Sequence, residues 1–179
     1  MTTQTDRTTA AVTAAAPDGA SLGPSLAVPL LRITLGVIIL VTWVDNLRKD
    51  VYTGDGLTGL INWLFAEDGN NSSLGFYESI LDSVVVPAAG FFGGAQLVVE
   101  LLFGIGLLLG VFTRLSSLLA IGFFFSLFLG YFGGNEWIWT YVLLMAASLT
   151  AFLGWGGRRF GVDQMIAARR GPSPFGLLW

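Results

Sequence analysis

Apolar residues gather in four long runs separated by polar stretches, and this pattern governs the reading of the whole chain. The runs cover about residues 26–44, 84–112, 115–132 and 137–155. Each is long enough to supply the ~20 residues a helix needs to cross a ~30 Å hydrocarbon core. None shows the period-two alternation of a membrane barrel strand. Backbone groups in lipid must satisfy one another, so runs of this length predict helices. Between the first two runs lies a polar loop, residues 45–83. Within it Leu57, Leu60, Ile61, Leu64 and Phe65 recur at helical spacing. That spacing predicts a short amphipathic helix lying on the membrane or over the bundle. A second piece, FYESILDSVVVP, predicts an outward extension of the second run before Pro87. The expected fold class is all-α: a polytopic membrane protein, a four-transmembrane-helix bundle with a short amphipathic helix in its outer loop.

The flanks divide the chain further. Residues 1–25 are rich in Thr, Ala and Ser and lack the apolar core of a signal peptide, so they read as a disordered tail. Residues 26–168 form the expected membrane domain and 169–179 a C-terminal tail.

Composition supports this division. Hydrophobic residues make up 54% and charged residues 12%, against roughly 45–50% and 25% in an average soluble domain. A disordered chain, which needs low hydrophobicity and high net charge, is excluded, and the composition argues against an ordinary soluble globule, because too little polar material exists to cover its surface. Cysteine and histidine are absent. The chain therefore has no thiolate nucleophile, no imidazole base and no Cys- or His-ligated metal. No catalytic residue, metal site or covalently bound cofactor is expected, and no nucleic-acid partner. GFFGGA, residues 90–95, lacks the lysine of a phosphate loop, and helix packing explains its glycines better.

The few charges are sorted. Of 9 basic and 12 acidic residues, only Arg32 and Glu100 fall inside the apolar runs. The loop 45–83 holds Arg48 and Lys49 against seven acids, whereas the stretch after residue 155 holds Arg158, Arg159, Arg169 and Arg170 against Asp163. The positive-inside rule then places both termini in the cytoplasm of a cell that carries the chain in its inner or plasma membrane, with the acidic loop outward. Trp43, Tyr131, Trp137, Trp139 and Tyr141 fall near the outer ends, where interfacial anchoring is the expected role.

Glu100 is the leading candidate for chemistry. A carboxylate at a helix centre in lipid costs at least about 2.5–3.5 kcal/mol, so it faces the bundle interior with a partner or is protonated. Gln96 and Gly104 lie one turn away on the same face. Arg32 is the natural partner, reaching Glu100 across ~8–10 Å of depth, or else snorkelling to the surface. The pair fixes helix register, or Glu100, Gln96 and Arg32 line a site for a ligand, a proton or a quinone headgroup. Arg114 and Asp163 form a second candidate pair, a structural salt bridge joining the last helix to the turn after the second run.

Two segments carry a family resemblance: ELLFGIGLLLGVFTRLSSLLAIG, residues 100–122, and GWGGRRFGVDQMI, residues 154–166. With Leu31-Arg32 and Gly36 they resemble the DoxX-like family of small four-helix membrane proteins, over about residues 26–168. GRRFGVD and GNEWIW are most similar to its DoxD branch, the small membrane subunit of a thiosulfate:quinone oxidoreductase. The chain departs from the family in its long acidic loop and at Asp45-Asn46. The resemblance implies a link to quinone-coupled redox complexes, with quinone as a non-covalent ligand, and it points to Arg32, Glu100, Arg114 and Asp163. Three roles follow as expectations. The first is a subunit of a quinone-linked oxidoreductase complex that takes its electrons from partner subunits. The second is a non-catalytic structural or assembly subunit that docks partner chains; the expected partners are other subunits or, alternatively, further copies of the chain in a homo-oligomer. The third, less favoured, is a small transporter, for which the chain shows a single intramembrane acid and no inverted repeat.

Overall fold

The computed structural model describes residues 22–171. Most of the two expected tails, 1–25 and 169–179, lies outside that range. All the described secondary structure is helical. Helix α1 is Leu22–Arg48, α2 Gly54–Phe65, α3 Gly75–Ile80, α4 Ala89–Leu109, α5 Thr113–Gly130, α6 Trp139–Leu153 and α7 Val162–Arg170. Helices α1, α4, α5 and α6 form the bundle. Each packs on the next around a ring that closes between α6 and α1. Successive members run antiparallel. Arg32 meets Leu107, and Trp43 meets Leu97, so α1 and α4 pass in opposite directions.

Chain segments that differ in length and polarity build this ring. The helical extension expected before Pro87 forms, and the helical path continues beyond it. Gly75–Leu109 is one apolar rod of 35 residues, about 50 Å long, which exceeds the hydrocarbon core. It stays helical past Pro87 because a π-helical turn, Leu81–Val85, and a 3-10 turn, Val86–Ala88, absorb the missing amide. Leu26–Arg48 and Thr113–Gly130 are also long and apolar enough to cross a membrane. Helix α6 is shorter than the run 137–155 predicts. It has 15 residues, about 22 Å, short of the ~30 Å hydrocarbon core that the other three bundle helices are long enough to cross.

The molecule is apolar outside and selectively polar inside. Leu102, Leu143 and Phe91 are largely exposed, whereas Arg32, Glu100 and Asp163 are fully buried. This distribution suits a lipid surround. The apolar core is small: Leu35, Ile39, Phe103, Leu107, Ala120, Phe124 and Ala151. Close approach of α1 and α4 depends on Gly36, where a Cβ would strike the backbone of Leu108.

Helix α2 forms where the apolar spacing predicts it. The Thr53 hydroxyl accepts from the Gly56 amide and starts the helix. Leu57, Ile61 and Leu64 are buried, and the helix lies over the bundle, with Leu57 and Ile61 packed around Ala89, Leu81, Val85 and Phe92. It roofs the loop side of the ring. The described termini lie on the opposite side.

Candidate functional site

Two buried polar centres lie along the α1–α4 pair, one at the termini-side end and one near the middle of α4. At the termini side, Arg32 donates to the carbonyls of Leu107 at 2.6 Å and Leu108 at 3.1 Å, and to that of Phe160 at 3.0 Å. Leu107 and Leu108 belong to the last turn of α4, whose carbonyls have no partner within the helix. Asp163 acts on the other side of the same turn. Its two carboxylate oxygens accept from the amides of Phe112 and Thr113, each at 2.8 Å. These amides begin α5 and are the donors a helix leaves open. A cation thus sits at the negative end of α4 and an anion at the positive end of α5, the sense the helix dipoles favour. The Asp163 amide also donates to the Gly110 carbonyl.

The lock holds backbone that would not otherwise adopt its shape. Phe112, Trp155 and Phe160 all have positive φ, between 47° and 53°, a left-handed conformation costing of order 1–3 kcal/mol for such residues. Gly110, at φ 70°, makes the turn beneath Arg32, and a Cβ on Gly157 would strike the Thr113 hydroxyl and the Asp163 carboxylate.

Both expected ion pairs need correction. Arg32 does not pair with Glu100. The packing register sets Arg32 level with Leu108, eight residues or ~12 Å along α4 from Glu100, and nearer carbonyls engage the guanidinium. Asp163 ties α7 to the α4–α5 turn, as its position suggested, but through backbone amides. Arg114 instead lies over two rings, 4.3 Å from the centres of Phe152 and Trp155. Arg158 covers the Trp155 ring at 4.0 Å.

Glu100 lies in the second centre. It is 1% exposed. Its Oε2 accepts from the Tyr52 hydroxyl at 2.9 Å and from the Gln96 amide at 3.5 Å. Its Oε1 has no hydrogen-bond partner. Gln96 is where the sequence spacing placed it. Tyr52 was not foreseen. The segment after α1 turns back into the bundle, and the Tyr52 and Thr53 carbonyls lie against Gly93 of α4. Val51 and Tyr52 are buried by this return. The available signal was an adjacent Val-Tyr pair in an otherwise acidic loop. Burial pushes the Tyr52 hydroxyl pKa well above the ordinary tyrosine range, and the bond to Glu100 and its charge push it further. Tyr52 therefore remains a donor.

Gln96 also faces open space. A chamber of about 520 Å³ is bounded by Thr42, Asn46, Trp63, Gln96, Phe124, Tyr131, Thr140 and Tyr141, with Lys49 and Glu136 among its walls. The Tyr131 and Tyr141 rings stack there at 5.3 Å. The interfacial reading of the aromatics thus divides: Trp137 and Trp139 are exposed, while Tyr131 and Tyr141 turn inward and Trp43 donates to the Leu97 carbonyl. The chamber has the size and mixed lining of a small-molecule site. Arg32 does not line it. Among the described residues, no cluster of three or more acids forms a metal site.

No curated protein and no solved structure matches the chain. A family model described as DoxX matches residues 27–131, more than half the sequence. The matched stretch carries Arg32, Tyr52, Gln96, Glu100 and the α4–α5 turn, and ends before Asp163. With its helical ring, its apolar exterior and this match, the chain belongs to the DoxX family of membrane proteins.

Proposed function

We propose that the chain is a membrane subunit of a quinone-linked oxidoreductase complex, respiratory or sulfur-oxidising, as in the DoxD branch. In this reading the chamber beside Gln96 takes the quinone headgroup and Glu100 holds a proton for it. The observation that carries the reading is a fully buried carboxyl whose Oε1 has no partner and whose Oε2 accepts from Gln96, a wall residue of a ligand-sized chamber that Glu100 itself does not line. The walls suit a planar ring with two carbonyl oxygens: Phe124, Tyr131 and Tyr141 offer ring faces, and Asn46, Gln96 and Thr140 offer donors. A bound quinone supplies a two-electron, two-proton couple. Tyr52 holds Glu100 in place, and Gln96 orients toward the chamber. Electrons come from a partner subunit, since the chain has no Cys or His to carry them. The basic residues after α6 and the acidic loop support termini in the cytoplasm.

The test is Glu100→Gln in membranes that retain the intact complex. Quinone-dependent turnover falls about tenfold or more if Glu100 handles a proton. Unchanged turnover overturns the reading.

A second reading, a non-catalytic assembly subunit, is favoured by the termini-side lock, where Arg32 and Asp163 bind only backbone. Gentle detergent extraction separates the two. Stoichiometric partners without quinone-dependent activity support assembly, and a chain that runs alone removes its basis.

A further inference from the structure

Beside the polar chamber lies a second cavity of about 370 Å³. Its walls come from the roof helix α2, the α3–α4 rod and α5, including Ile61, Leu64, Leu81, Val85 and Ala95. It is almost wholly apolar. Two of its few polar groups, the Tyr77 and Ser126 hydroxyls, bond each other at 2.8 Å and make no demand on an occupant. Leu60, Gln96, Phe123, Leu127 and Tyr131 line both cavities, so the two adjoin. The first chamber offers donors and ring faces, and the second is predominantly apolar, with Gln96 and Tyr131 standing where the two meet.

We infer that the two chambers take the two ends of one amphiphile: a polar aromatic head beside Gln96, and a single hydrocarbon or prenyl chain beneath α2. The inference rests on the proposed headgroup site and extends it, giving the acidic loop a purpose. Helix α2 is the roof of the chain chamber, so its apolar stripe serves ligand binding as well as folding. Dispersion and water exclusion hold the chain, and hydrogen bonds set the head.

The experiment uses the full chain in phosphatidylcholine nanodiscs and two probes, a decyl-substituted benzoquinone and its tail-less parent. Binding is read as quenching of Trp63 fluorescence, because Trp63 lines the head chamber. Trp63→Phe provides the background. Ala95→Phe fills the chain chamber. Wild type and variant meet the same lipid, so partitioning cancels between them. The inference expects Ala95→Phe to weaken the decyl probe about tenfold, as loss of two buried methylenes does. The tail-less probe stays within about twofold. Equal weakening of both probes, or of neither, overturns the chain chamber. A photoreactive group at the chain end gives a second measurement that does not depend on the variant folding. Labelling of Ile61, Leu81 or Val85 supports the inference, and labelling confined to lipid-facing Leu102 and Val98 overturns it. If fatty alcohols label the chamber as well as the quinone does, the chain site stands and the quinone reading fails.

Discussion

The two buried polar centres lie two to three helical turns apart, yet their chemistry differs. At the termini side, both oxygens of Asp163 accept from backbone amides, and both terminal nitrogens of Arg32 donate to carbonyls. At the loop side, Glu100 is equally buried but keeps one oxygen open. Burial of a charge therefore does not mark function by itself. Asp163 spends both oxygens on backbone amides and Arg32 leaves only its Nε without a partner, whereas Glu100 keeps an acceptor open one helical turn from Gln96, which lines the chamber. The family resemblance pointed to Arg32, Glu100 and Asp163 alike, and the hydrogen bonds separate them.

Substitutions at the two centres separate their roles. The largest effect belongs to Asp163→Ala. It strands two amides and leaves Arg32 buried with less compensation, so unfolding in nanodiscs shows a loss of about 3–5 kcal/mol. A loss below about 1 kcal/mol would remove the lock from the comparison. Tyr52→Phe comes next. One hydrogen bond to a carboxyl disappears, and the expected cost is about 1.5–3 kcal/mol by the same measurement. Glu100→Gln, nearly isosteric, changes stability by less than about 1 kcal/mol while depressing turnover. If Glu100→Gln destabilises as much as Asp163→Ala, both centres are structural and the contrast fails.

A pH titration gives a smaller effect of defined sign. Burial raises the folded pKa of Tyr52, so the folded protein keeps a proton that the unfolded chain releases. The Tyr52 contribution to stability is complete below the ordinary tyrosine value of about 10 and falls as pH rises above it. Tyrosinate absorbance checks this: Tyr52→Phe lowers the late-titrating absorbance by one tyrosine. The smallest effect is at Asp45, whose bond to Lys49 at 2.6 Å lies between side chains 55% and 65% exposed. Asp45→Asn shifts stability by at most about 0.5 kcal/mol.

How far the sequence could be read depended on the range of the physics involved. The four bundle helices, the α2 stripe and the isolation of Arg32 and Glu100 follow from apolar spacing, which is local. Gln96 beside Glu100 follows from a single helical turn. The Arg32–Glu100 expectation failed because depth along two helices depends on how they pack. Gly36 against Leu108 sets that register. Asp163 was recognised as a tie, but its partners are amides, invisible in a list of side chains. Tyr52 escaped because a loop that turns back into a bundle leaves only a Val-Tyr pair as its trace.

Apolar spacing and composition alone set the class of molecule: an all-helical membrane protein with two charges inside its apolar runs and no thiol or imidazole chemistry. Lipid imposes that outcome, because every spanning segment must satisfy its own backbone and every intramembrane charge must be accounted for. The tertiary structure alone decided what accounts for each charge. Arg32 went to the last carbonyls of α4, Asp163 to the first amides of α5, and Glu100 to a tyrosine 48 residues away. Hydrogen bonds form only over about 3 Å, so helix register and the path of one loop separated a structural lock from a site with an open oxygen.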